Sequence, residues 1–410
     1  MGTPPRERSE LGGVQEPATQ KMNPKVMIVG LGSLGGVLLE LLARDEAIGE
    51  IVVASRDQAR GEARCNLARV GALAQGTRPC IRFVPLNLDD TDHAAELVAR
   101  HSPDLIVSTA SMQTWWLAEL LPPDARRDLA RAPFGAWLPV HLSLAIKFMT
   151  AVRRADYRGS TLVASFPDVV NVVLGRVGAA PTCGLGNLDE IVPKLRYLAG
   201  ERLHVLPESI RVLLVAHHAL EPLVFGTGVS AGDPRIPPYW LRLESHGQDV
   251  TGAAEAARLL FEPYPLPAGP AWHFLTAGCA VRLIRALLGE REELVHVPAP
   301  AGLPGGYPAM ASRAGVRLVD LPGLSHEEAV AINERSQSFD GIERIEADGT
   351  VHFTAEAAEV LQQLLGYNVG RLRPSESEER ATELIALFRE YAARCGVDLA
   401  AAEATSRVMI

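Results

Sequence analysis

Residues 25–55 read KVMIVGLGSLGGVLLELLARDEAIGEIVVAS, and this stretch decides the fold. Val26–Val29 is a short apolar run, Gly35–Arg44 is a longer apolar run, and Ile51–Ala54 is a second short one. Short apolar runs that are rich in β-branched residues and bounded by turn residues predict buried strands, whereas a run of ten residues is long enough for a helix. The stretch therefore predicts a strand, a glycine turn, a helix and a second strand.

The predicted turn carries the pattern GxGxxG at Gly30, Gly32 and Gly35, with Ser33 and Leu34 inside it. In this pattern the first glycine permits the tight turn, the second lets a pyrophosphate approach the backbone, and the third lets helix and strand pack closely. The helix N-terminus then offers N–H groups and a positive dipole end to phosphates. The pattern predicts the phosphate-binding turn of a Rossmann domain. The alternative is a similar turn in a Rossmann relative that binds no nucleotide.

The end of the second strand indicates which dinucleotide is bound. NAD sites usually place an Asp or Glu there to accept hydrogen bonds from the ribose hydroxyls, but this chain has Ala54, Ser55 and Arg56. A small hydroxyl beside a guanidinium suits the additional 2′-phosphate of NADP, because Arg can bind a phosphate through two N–H groups. The sequence favours NADP(H) over NAD(H), with a solvated loop cation as the alternative role for Arg56. Asp57 comes too late to be a ribose ligand.

Strands and helices continue to alternate as far as residue 108. The predicted elements are a helix over Arg60–Val70, a strand over Ile81–Leu86, a helix over Ala94–Arg100 and a strand over Leu105–Ser108. A helix over His141–Arg153 and a buried strand over Thr161–Ala164 follow a longer segment that contains several prolines. Such alternation predicts a parallel sheet with helices on both faces.

From about residue 175 the predicted strands and helices become mixed. A strand is predicted over Arg211–Val215, and Asp348–Gly349 looks like the turn of a hairpin. The predicted fold is therefore α/β, with a Rossmann-type doubly wound parallel sheet followed by an α+β substrate-binding domain. The expected divisions are a disordered leader over residues 1–22, an NAD(P)-binding domain over 23–175 and a catalytic domain over 176–410.

Composition excludes several other classes of protein. Apolar residues make up 47% of the 410 residues and charged residues 22%, with a net charge of −9, which is ordinary for a globular enzyme and disfavours a nucleic-acid partner. The five cysteines form no CxxC pair, so neither a disulfide framework nor a zinc site is expected. The first twenty or so residues are polar and resemble no signal peptide. Residues 26–43 are apolar but glycine-rich, so we expect no membrane span there.

Further short segments resemble the lactate/malate dehydrogenase family, in order, over roughly residues 25–335. Ser108-Thr109-Ala110-Ser111 stands where that family has its thr-ala-gly turn, and Ala164-Ser165-Phe166-Pro167 resembles the strand end with its asn-pro pair. Asn187-Leu188-Asp189 and Lys194-Leu195-Arg196-Tyr197 resemble the helix that bears its catalytic aspartate and substrate arginine. Ala216-His217-His218-Ala219 lies where the family has its catalytic histidine. The resemblance implies that Thr109 and Ala110 lie beside the nicotinamide ribose.

The chemistry of such an enzyme needs an imidazole to exchange the alcohol proton and a carboxylate to orient that imidazole. We expect His218 to be this acid/base and Asp189 to be its partner, as the resemblance implies. His217 is the competing histidine, because adjacent strand residues face opposite ways. Asp189 has an alternative role as a helix cap, since Asp favours that position.

Three departures from the family pattern bear on the substrate. The substrate arginine falls on Lys194, which can neutralise an acid but cannot form a planar two-point clamp. Phe166 replaces the asn of the asn-pro pair, and the mobile loop's arginine has no clear equivalent near Trp115 and Trp116, although Arg126 follows. The two tryptophans favour a larger or more apolar substrate or a lid, and the alternative is a structural role in the core.

The expected function is that of an NADP(H)-dependent oxidoreductase that acts on a hydroxyl or carbonyl group of a 2-hydroxy or 2-keto acid-like substrate larger than lactate or malate. One alternative is an opine- or saccharopine-type dehydrogenase that reduces an imine, and another is a protein that binds NADP without catalysis. We expect a small-molecule substrate, a cytoplasmic location and no membrane, nucleic-acid or metal partner. The family resemblance implies a homodimer or homotetramer.

Overall fold

The computed structural model of the protein describes residues 24–402. The leader predicted over residues 1–22 lies outside them.

A six-stranded parallel sheet forms the centre of the N-terminal half. Its strands are β1 (Lys25–Val29), β2 (Glu50–Ser55), β3 (Cys80–Pro85), β4 (Leu105–Ser108), β5 (Ser160–Val163) and β6 (Cys183–Gly184). The strand order is β3-β2-β1-β4-β5-β6, so the direction of winding reverses between β1 and β4. This order is that of a doubly wound Rossmann sheet, and it confirms the predicted fold class.

Helices cover both faces of the sheet. They are α1 (Ser33–Leu42), α2 (Gln58–Ala74), α3 (Thr91–His101), α4 (Pro123–Leu129), α5 (Leu138–Arg154) and α6 (Pro167–Arg176). Alternate residues of β1 enter different cores: Val26 and Ile28 pack with α1 and α2, whereas Met27 and Val29 pack with α3 and α5. Both faces of the strand are therefore buried, which explains its uninterrupted apolar sequence.

The C-terminal half contains three small antiparallel sheets and further helices. The strands are β7 (Ile210–Val215), β8 (Trp240–Ser245), β9 (Gln248–Asp249), β10 (Glu293–Pro298), β11 (Gly306–Ser312), β12 (Gly315–Leu318), β13 (Ile342–Ile345), β14 (Val351–Phe353) and β15 (Arg371–Leu372). The helices are α7 (Leu188–Leu203), α8 (Glu221–Phe225), α9 (Ala256–Leu260), α10 (His273–Leu288), α11 (His326–Ser336), α12 (Ala355–Leu365) and α13 (Ser377–Arg394). Each sheet has three strands, in the orders β7-β8-β9, β10-β11-β12 and β13-β14-β15.

The two halves are packed together through the nucleotide sheet. Strand β6 belongs to that sheet although it follows the predicted division at residue 175. Helix α10 packs against α1 on one face, and α13 packs against α5 on the other. The Asp348–Gly349 hairpin joins β13 to β14 as predicted, with Gly349 at φ +84°. This hairpin closely follows Asp340, which belongs to the site described below.

Two helical stretches, Phe134–Arg154 and Gly269–Leu288, are long and apolar enough to cross a membrane. The core helix of a soluble protein has the same properties, and 78% of the apolar window in the first stretch is buried inside the fold. The apolar run over residues 26–43 is divided between β1, the glycine turn and α1.

Candidate active site

The glycine turn has the geometry that its sequence predicts. Gly30 has φ +95°, and a Cβ there would lie 2.9 Å from the backbone nitrogen of Ala110. A Cβ on Gly35 would lie 2.2 Å from the Gly30 carbonyl oxygen, so only glycine allows this close approach. A Cβ on Gly32, in contrast, would meet no protein atom within 4 Å. Gly32 therefore leaves open the space in which a pyrophosphate approaches a Rossmann turn.

Helix α1 begins directly after this space. Gly32 is its N-cap, and within the described residues no side chain caps the first turn. The N–H groups of Ser33, Leu34 and Gly35 therefore have no acceptor inside the helix. Together with the helix dipole, they form a binding site for an anion.

A cavity of about 290 Å³ extends from the turn along the ends of β1, β2 and β4. Ser55 and Arg56 line it at the end of β2, and Thr109 lines it at the end of β4, where its hydroxyl donates to the Gly30 carbonyl at 2.9 Å. Asp57 also lines this cavity, and it caps α2 by accepting from Arg60 N at 3.0 Å. The open cradle, the free first-turn N–H groups and the adjacent guanidinium all fit an NADP(H) molecule.

Asp89 also lines the nucleotide cavity and was not predicted from the sequence. The ammonium group of Lys147, on α5, lies 2.5 Å from Asp89 and 2.6 Å from Glu378 of α13. The hydrogen bond from Lys147 lowers the pKa of Asp89. A charged network therefore connects the wall of the nucleotide cavity to the C-terminal helix.

His218 lies immediately after the loop that leaves β7, and its partner is Asp340. The distance from His218 Nδ1 to Asp340 Oδ2 is 2.7 Å. Asp340 is buried, and its side chain also accepts a hydrogen bond from the Gly135 backbone. The bond occupies Nδ1 and leaves Nε2 as the ring nitrogen for a reacting group. The arrangement is a histidine–carboxylate pair suited to proton transfer.

The charges around His218 favour its protonated form. Burial alone would lower the pKa of His218, but the Asp340 carboxylate, together with Asp168 and Glu190, raises that pKa above its ordinary value. Burial alone would raise the pKa of Asp340, yet the two histidines at 217 and 218 hold it below its ordinary value. Both shifts stabilise a charged imidazolium–carboxylate pair.

The predicted pairing of Asp189 with His218 is wrong. Asp189 lies in the first turn of α7 and its Oδ1 is 2.9 Å from the guanidinium of Arg282, on α10. The geometry therefore gives Asp189 a buried ion pair between two helices. The carboxylate that orients His218 comes instead from Asp340, 122 positions further along the chain.

His217 and Asp168 complete the buried surroundings of His218. His217 is almost wholly buried, its Nδ1 lies 3.5 Å from Asp340 Oδ2, and burial lowers its pKa. Asp168 is fully buried and accepts from the backbone N–H of His218 at 2.9 Å and from Asn187 Nδ2 at 2.8 Å. Asp168 thus fixes the backbone that carries His218. Because His217 is buried and its pKa is lowered, it is less suited to exchange protons with a ligand than its neighbour.

The structure does not bring Lys194 to the site. Its Nζ is buried and donates to the backbone carbonyls of Val224, at 2.7 Å, and Leu260, at 3.0 Å, beside the ring of Phe225. Burial lowers the pKa of Lys194 to about 8. This lysine connects α7 to the segments around α8 and α9. The predicted role as a substrate anchor therefore has no support in the geometry.

A second, larger cavity of about 610 Å³ adjoins the His218–Asp340 pair. Asp340 and His141 line it, and aromatic rings form much of the remaining wall: Trp115, Phe134, Trp137, Phe339 and Phe388. Gln113 and Thr114 line both this cavity and the nucleotide cavity, so the two meet there. Gln113 Oε1 is buried and has no hydrogen-bond partner within residues 24–402. The Gln113 side chain therefore brings a buried, unpaired carbonyl oxygen to the junction of the two cavities.

Trp115 and Trp116, for which the sequence left open a substrate contact, a lid or a role in the core, have different positions. Trp115 is 36% exposed and lines the large cavity, where it contacts the ring of His273 edge-on. Trp116 is buried and lines the nucleotide cavity. The segment over residues 113–139 thus forms walls of both cavities.

Two further observations concern metal-ligating and cysteine side chains in the part of the chain that the structure describes. It contains no group of three or more His, Cys, Asp or Glu side chains that could hold a metal ion. All five cysteines are free.

Comparison with known proteins agrees with the fold and the nucleotide cavity. Residues 26–113 match the family model of the saccharopine dehydrogenase NADP binding domain. No curated protein matches the chain. The predicted NADP(H) cofactor is confirmed by the family match, which also supports a dehydrogenase.

Solved structures resemble the chain over most of its length. A lactate dehydrogenase from Eimeria maxima, solved with NADH and oxamate, has a TM-score of 0.53 at 14% identity, covering 78% of this chain and 93% of that chain. The lactate dehydrogenase MGS-M5, from a Medee basin deep-sea metagenome library, has a TM-score of 0.51 at 13% identity, covering 78% of this chain and 97% of that chain. At such identities the likeness shows the fold alone. The predicted resemblance to lactate/malate dehydrogenases is thus confirmed at the level of the fold.

Proposed function

We propose that this protein is an NADP(H)-dependent oxidoreductase that interconverts a carbonyl and a hydroxyl group on a substrate with a large apolar body. The observation that carries the proposal is the His218–Asp340 pair, at 2.7 Å, beside a cavity that meets the nucleotide cavity at Gln113 and Thr114. A proton-exchanging imidazole next to a nucleotide site is what carbonyl reduction by hydride requires.

NADPH, when bound, supplies the hydride. In the reducing direction protonated His218 donates its Nε2 proton to the carbonyl oxygen while the carbonyl carbon accepts the hydride. The product is the alcohol, and His218 is left neutral. Asp340 holds the ring by its Nδ1–H and stabilises the protonated state before transfer. In the oxidising direction neutral His218 accepts the hydroxyl proton.

A preference for NADP over NAD is part of the proposal. The supporting observations are the absence of an acid at the end of β2 and the place of Ser55 and Arg56 in the nucleotide cavity. A 2′-phosphate beside Arg56 would gain charge-assisted hydrogen bonds that NADH cannot form. Comparing the dissociation constants of NADPH and NADH tests this preference.

The substrate is proposed to be larger than lactate or malate. A cavity of about 610 Å³ with aromatic walls falls in the size range of sites for drug-sized ligands. A 2-keto acid with an aromatic side chain fits this description, with Arg126, one of the two arginines that line the cavity, as the cation for its carboxylate. Lys194 is not part of this proposal, because its ammonium group is held by backbone carbonyls.

An imine-reducing activity of the opine or saccharopine type is the second candidate. Two observations favour it: the family match of residues 26–113 and the carboxyl group of Glu119 in the wall of the large cavity, which could bind an amine. Turnover that requires an added amine or amino acid together with the keto acid would select this candidate.

The test is NADPH oxidation with pyruvate, oxaloacetate, phenylpyruvate and acetophenone, with and without an added amino acid. We expect turnover to be fastest with a carbonyl compound that carries an aromatic ring, and His218→Gln to lower kcat by about 10²- to 10⁴-fold. Wild-type turnover that His218→Gln does not reduce would overturn the assigned chemistry. Tight NADPH binding without turnover on any compound would favour a non-catalytic NADP-binding protein.

A cytoplasmic location and a homodimer or homotetramer remain predictions from the sequence and the family resemblance. Light scattering on the purified protein tests the assembly, and fractionation of the source cells tests the location.

A further inference from the structure

A second histidine, His141, lines the large cavity on the same side as Asp340. It lies in the first turns of α5 and is buried. Its Nδ1 lies 2.9 Å from the hydroxyl oxygen of Ser165, which follows β5. Since this contact occupies Nδ1, Nε2 is the ring nitrogen of His141 that is left for a ligand.

His141 and His218 pack against the same two phenyl rings. The ring centroid of Phe134 lies 5.0 Å from His141 and 4.9 Å from His218. The centroid of Phe166 lies 6.1 Å from His141 and 5.2 Å from His218. Phe134 and Phe166 themselves meet edge to face at 4.8 Å. Both imidazoles therefore contact one aromatic cluster, of which Phe134 lines the large cavity.

The surroundings give the two histidines opposite protonation states. Burial, and next the charge of His218, lower the pKa of His141 to about 3, and its polar contact is the neutral hydroxyl of Ser165. The pKa of His218 is raised by Asp340. Two titratable groups whose pKa values are moved apart in one site indicate different roles. The lowered pKa and the neutral partner suit His141 to a role as an uncharged hydrogen-bond donor, whereas His218 is suited to exchange the proton.

We propose that His141 is a substrate-binding residue that donates its Nε2–H to the carbonyl or hydroxyl oxygen of the substrate, with Ser165 as the positioning residue. A serine hydroxyl that donates to Nδ1 fixes the tautomer that has hydrogen on Nε2, which makes the ring a neutral donor. A fixed donor aimed at the oxygen that gains negative charge lowers the barrier to hydride addition. This inference rests on the proposed function and adds a second group, besides His218, that recognises the reacting oxygen.

The proposed roles of His141 and Ser165 also give a function to the residues that follow β5. Phe166 brings no polar group to the cavity, whereas Ser165, its neighbour, holds a histidine of another element. The polar contact to the substrate then comes from α5 rather than from the strand end itself.

His141→Phe is the main test variant, because it keeps a ring against Phe134 and Phe166 while it removes the N–H donor. With the best carbonyl substrate of the wild type, we expect kcat/KM to fall about 100-fold, as is typical for the loss of one donor to a developing oxyanion. NADPH affinity, followed by NADPH fluorescence, should be unchanged. The pH at which kcat is half-maximal should also be unchanged, because His218 sets it.

Ser165→Ala should lower kcat/KM in the same way but by less, about tenfold, and Ser165→Thr should retain activity because it keeps the hydroxyl. In the double variant His141→Phe with Ser165→Ala the two losses of kcat/KM should not add, since each substitution removes the same interaction with the substrate. Ser143→Ala is the matched control: it removes a buried serine hydroxyl of α5 that lines neither cavity and has no hydrogen-bond partner among the described residues.

Three results would overturn the inference. If the wild type turns over and His141→Phe has the same kcat/KM, His141 only packs. If His141→Phe moves the pH midpoint of kcat, His141 is a proton carrier and not a neutral donor. If the wild type binds NADPH but reduces no carbonyl compound or imine, the proposed function fails and this inference fails with it.

Discussion

Replacing Asp340 by Asn tests the site most directly. The carboxylate accepts the Nδ1–H of His218 at 2.7 Å and is buried, so water cannot take its place. An asparagine amide of the same shape can donate to Nδ1, which fixes the tautomer with hydrogen on Nε2. Neutral His218 would then be unable to accept the alcohol proton at Nε2, and its protonated form would lose its counter-ion.

The expected loss follows from these two effects. Orienting carboxylates of this kind and general acid–base groups contribute about 10²- to 10⁴-fold to the rate. We expect kcat of Asp340→Asn to fall about 10³-fold, which corresponds to about 4 kcal/mol of transition-state stabilisation. NADPH affinity should remain that of the wild type, since Asp340 does not line the nucleotide cavity.

The pH profile gives a second measure of the same substitution. Reduction needs protonated His218, so its rate is highest below the pKa of His218 and falls as the pH rises through it. Because the Asp340 carboxylate raises that pKa against the effect of burial, its removal should move the midpoint to lower pH. The other titratable groups that interact with His218 or Asp340 are Asp168, Glu190, Glu221, His217 and His141. They are unchanged in the variant.

The assay is NADPH oxidation by wild type and variant between about pH 5 and pH 9, with thermal melting to verify folding. Asp189→Asn is the informative comparison, because Asp189 was the partner of His218 predicted from the sequence. It breaks the ion pair with Arg282 and should lower stability while the pH midpoint stays in place. The reasoning is refuted if Asp189→Asn moves the midpoint and Asp340→Asn leaves it, together with kcat, unchanged.

Three further predictions concern the cofactor and the lysine. Arg56→Ala should weaken NADPH binding about 10- to 100-fold, because a charge-assisted hydrogen bond is lost, and should change NADH binding by no more than about threefold. Equal losses for the two cofactors would argue against a 2′-phosphate contact. Gly32→Ala should reduce NADPH affinity at unchanged thermal stability, because the added Cβ meets no protein atom within 4 Å. Gly35→Ala, in contrast, should destabilise the fold by about 1–3 kcal/mol, because the added Cβ would lie 2.2 Å from the Gly30 carbonyl oxygen. Lys194→Met should cost about 1–3 kcal/mol in urea unfolding, since two buried carbonyls lose their donor, with kcat/KM of the folded enzyme preserved. A large loss of kcat/KM at full stability would restore Lys194 as a substrate anchor.

The nucleotide half could be predicted because its determinants are local. Gly30 needs a positive φ and a close neighbour, and Gly35 needs room for a carbonyl; both requirements are visible in six consecutive residues. The next strand pairs with the whole of β1 through Glu50–Ala54, so the position of Arg56 follows from the same segment. Backbone geometry of this kind restricts which residue types can stand at each position, so it can be inferred from the sequence.

The partner of His218 could not be predicted, because it is chosen by tertiary packing. Asp340 precedes the β13–β14 hairpin and no motif surrounds it, while Asp189 stands at a helix start, where an acid is common for several reasons. Helix α7 turns Asp189 toward Arg282 of α10, and nothing within α7 specifies that neighbour. The same reason explains the wrong prediction for Lys194. Its positive charge suggested a contact with an acidic substrate, but its ammonium group is buried and donates to backbone carbonyls.

The unsatisfied groups around His218 also favour an enzyme over a protein that only binds NADP. Asp168 Oδ1 and Nε2 of His217 are buried with no hydrogen-bond partner among residues 24–402. Each such group costs about 1–3 kcal/mol, and the nucleotide cavity uses none of them. A binding module would gain stability from apolar residues at these positions. Buried polar groups that destabilise the fold are expected where the pKa of a catalytic group must be adjusted. Here they lie around His218, the histidine whose protonated form the site stabilises.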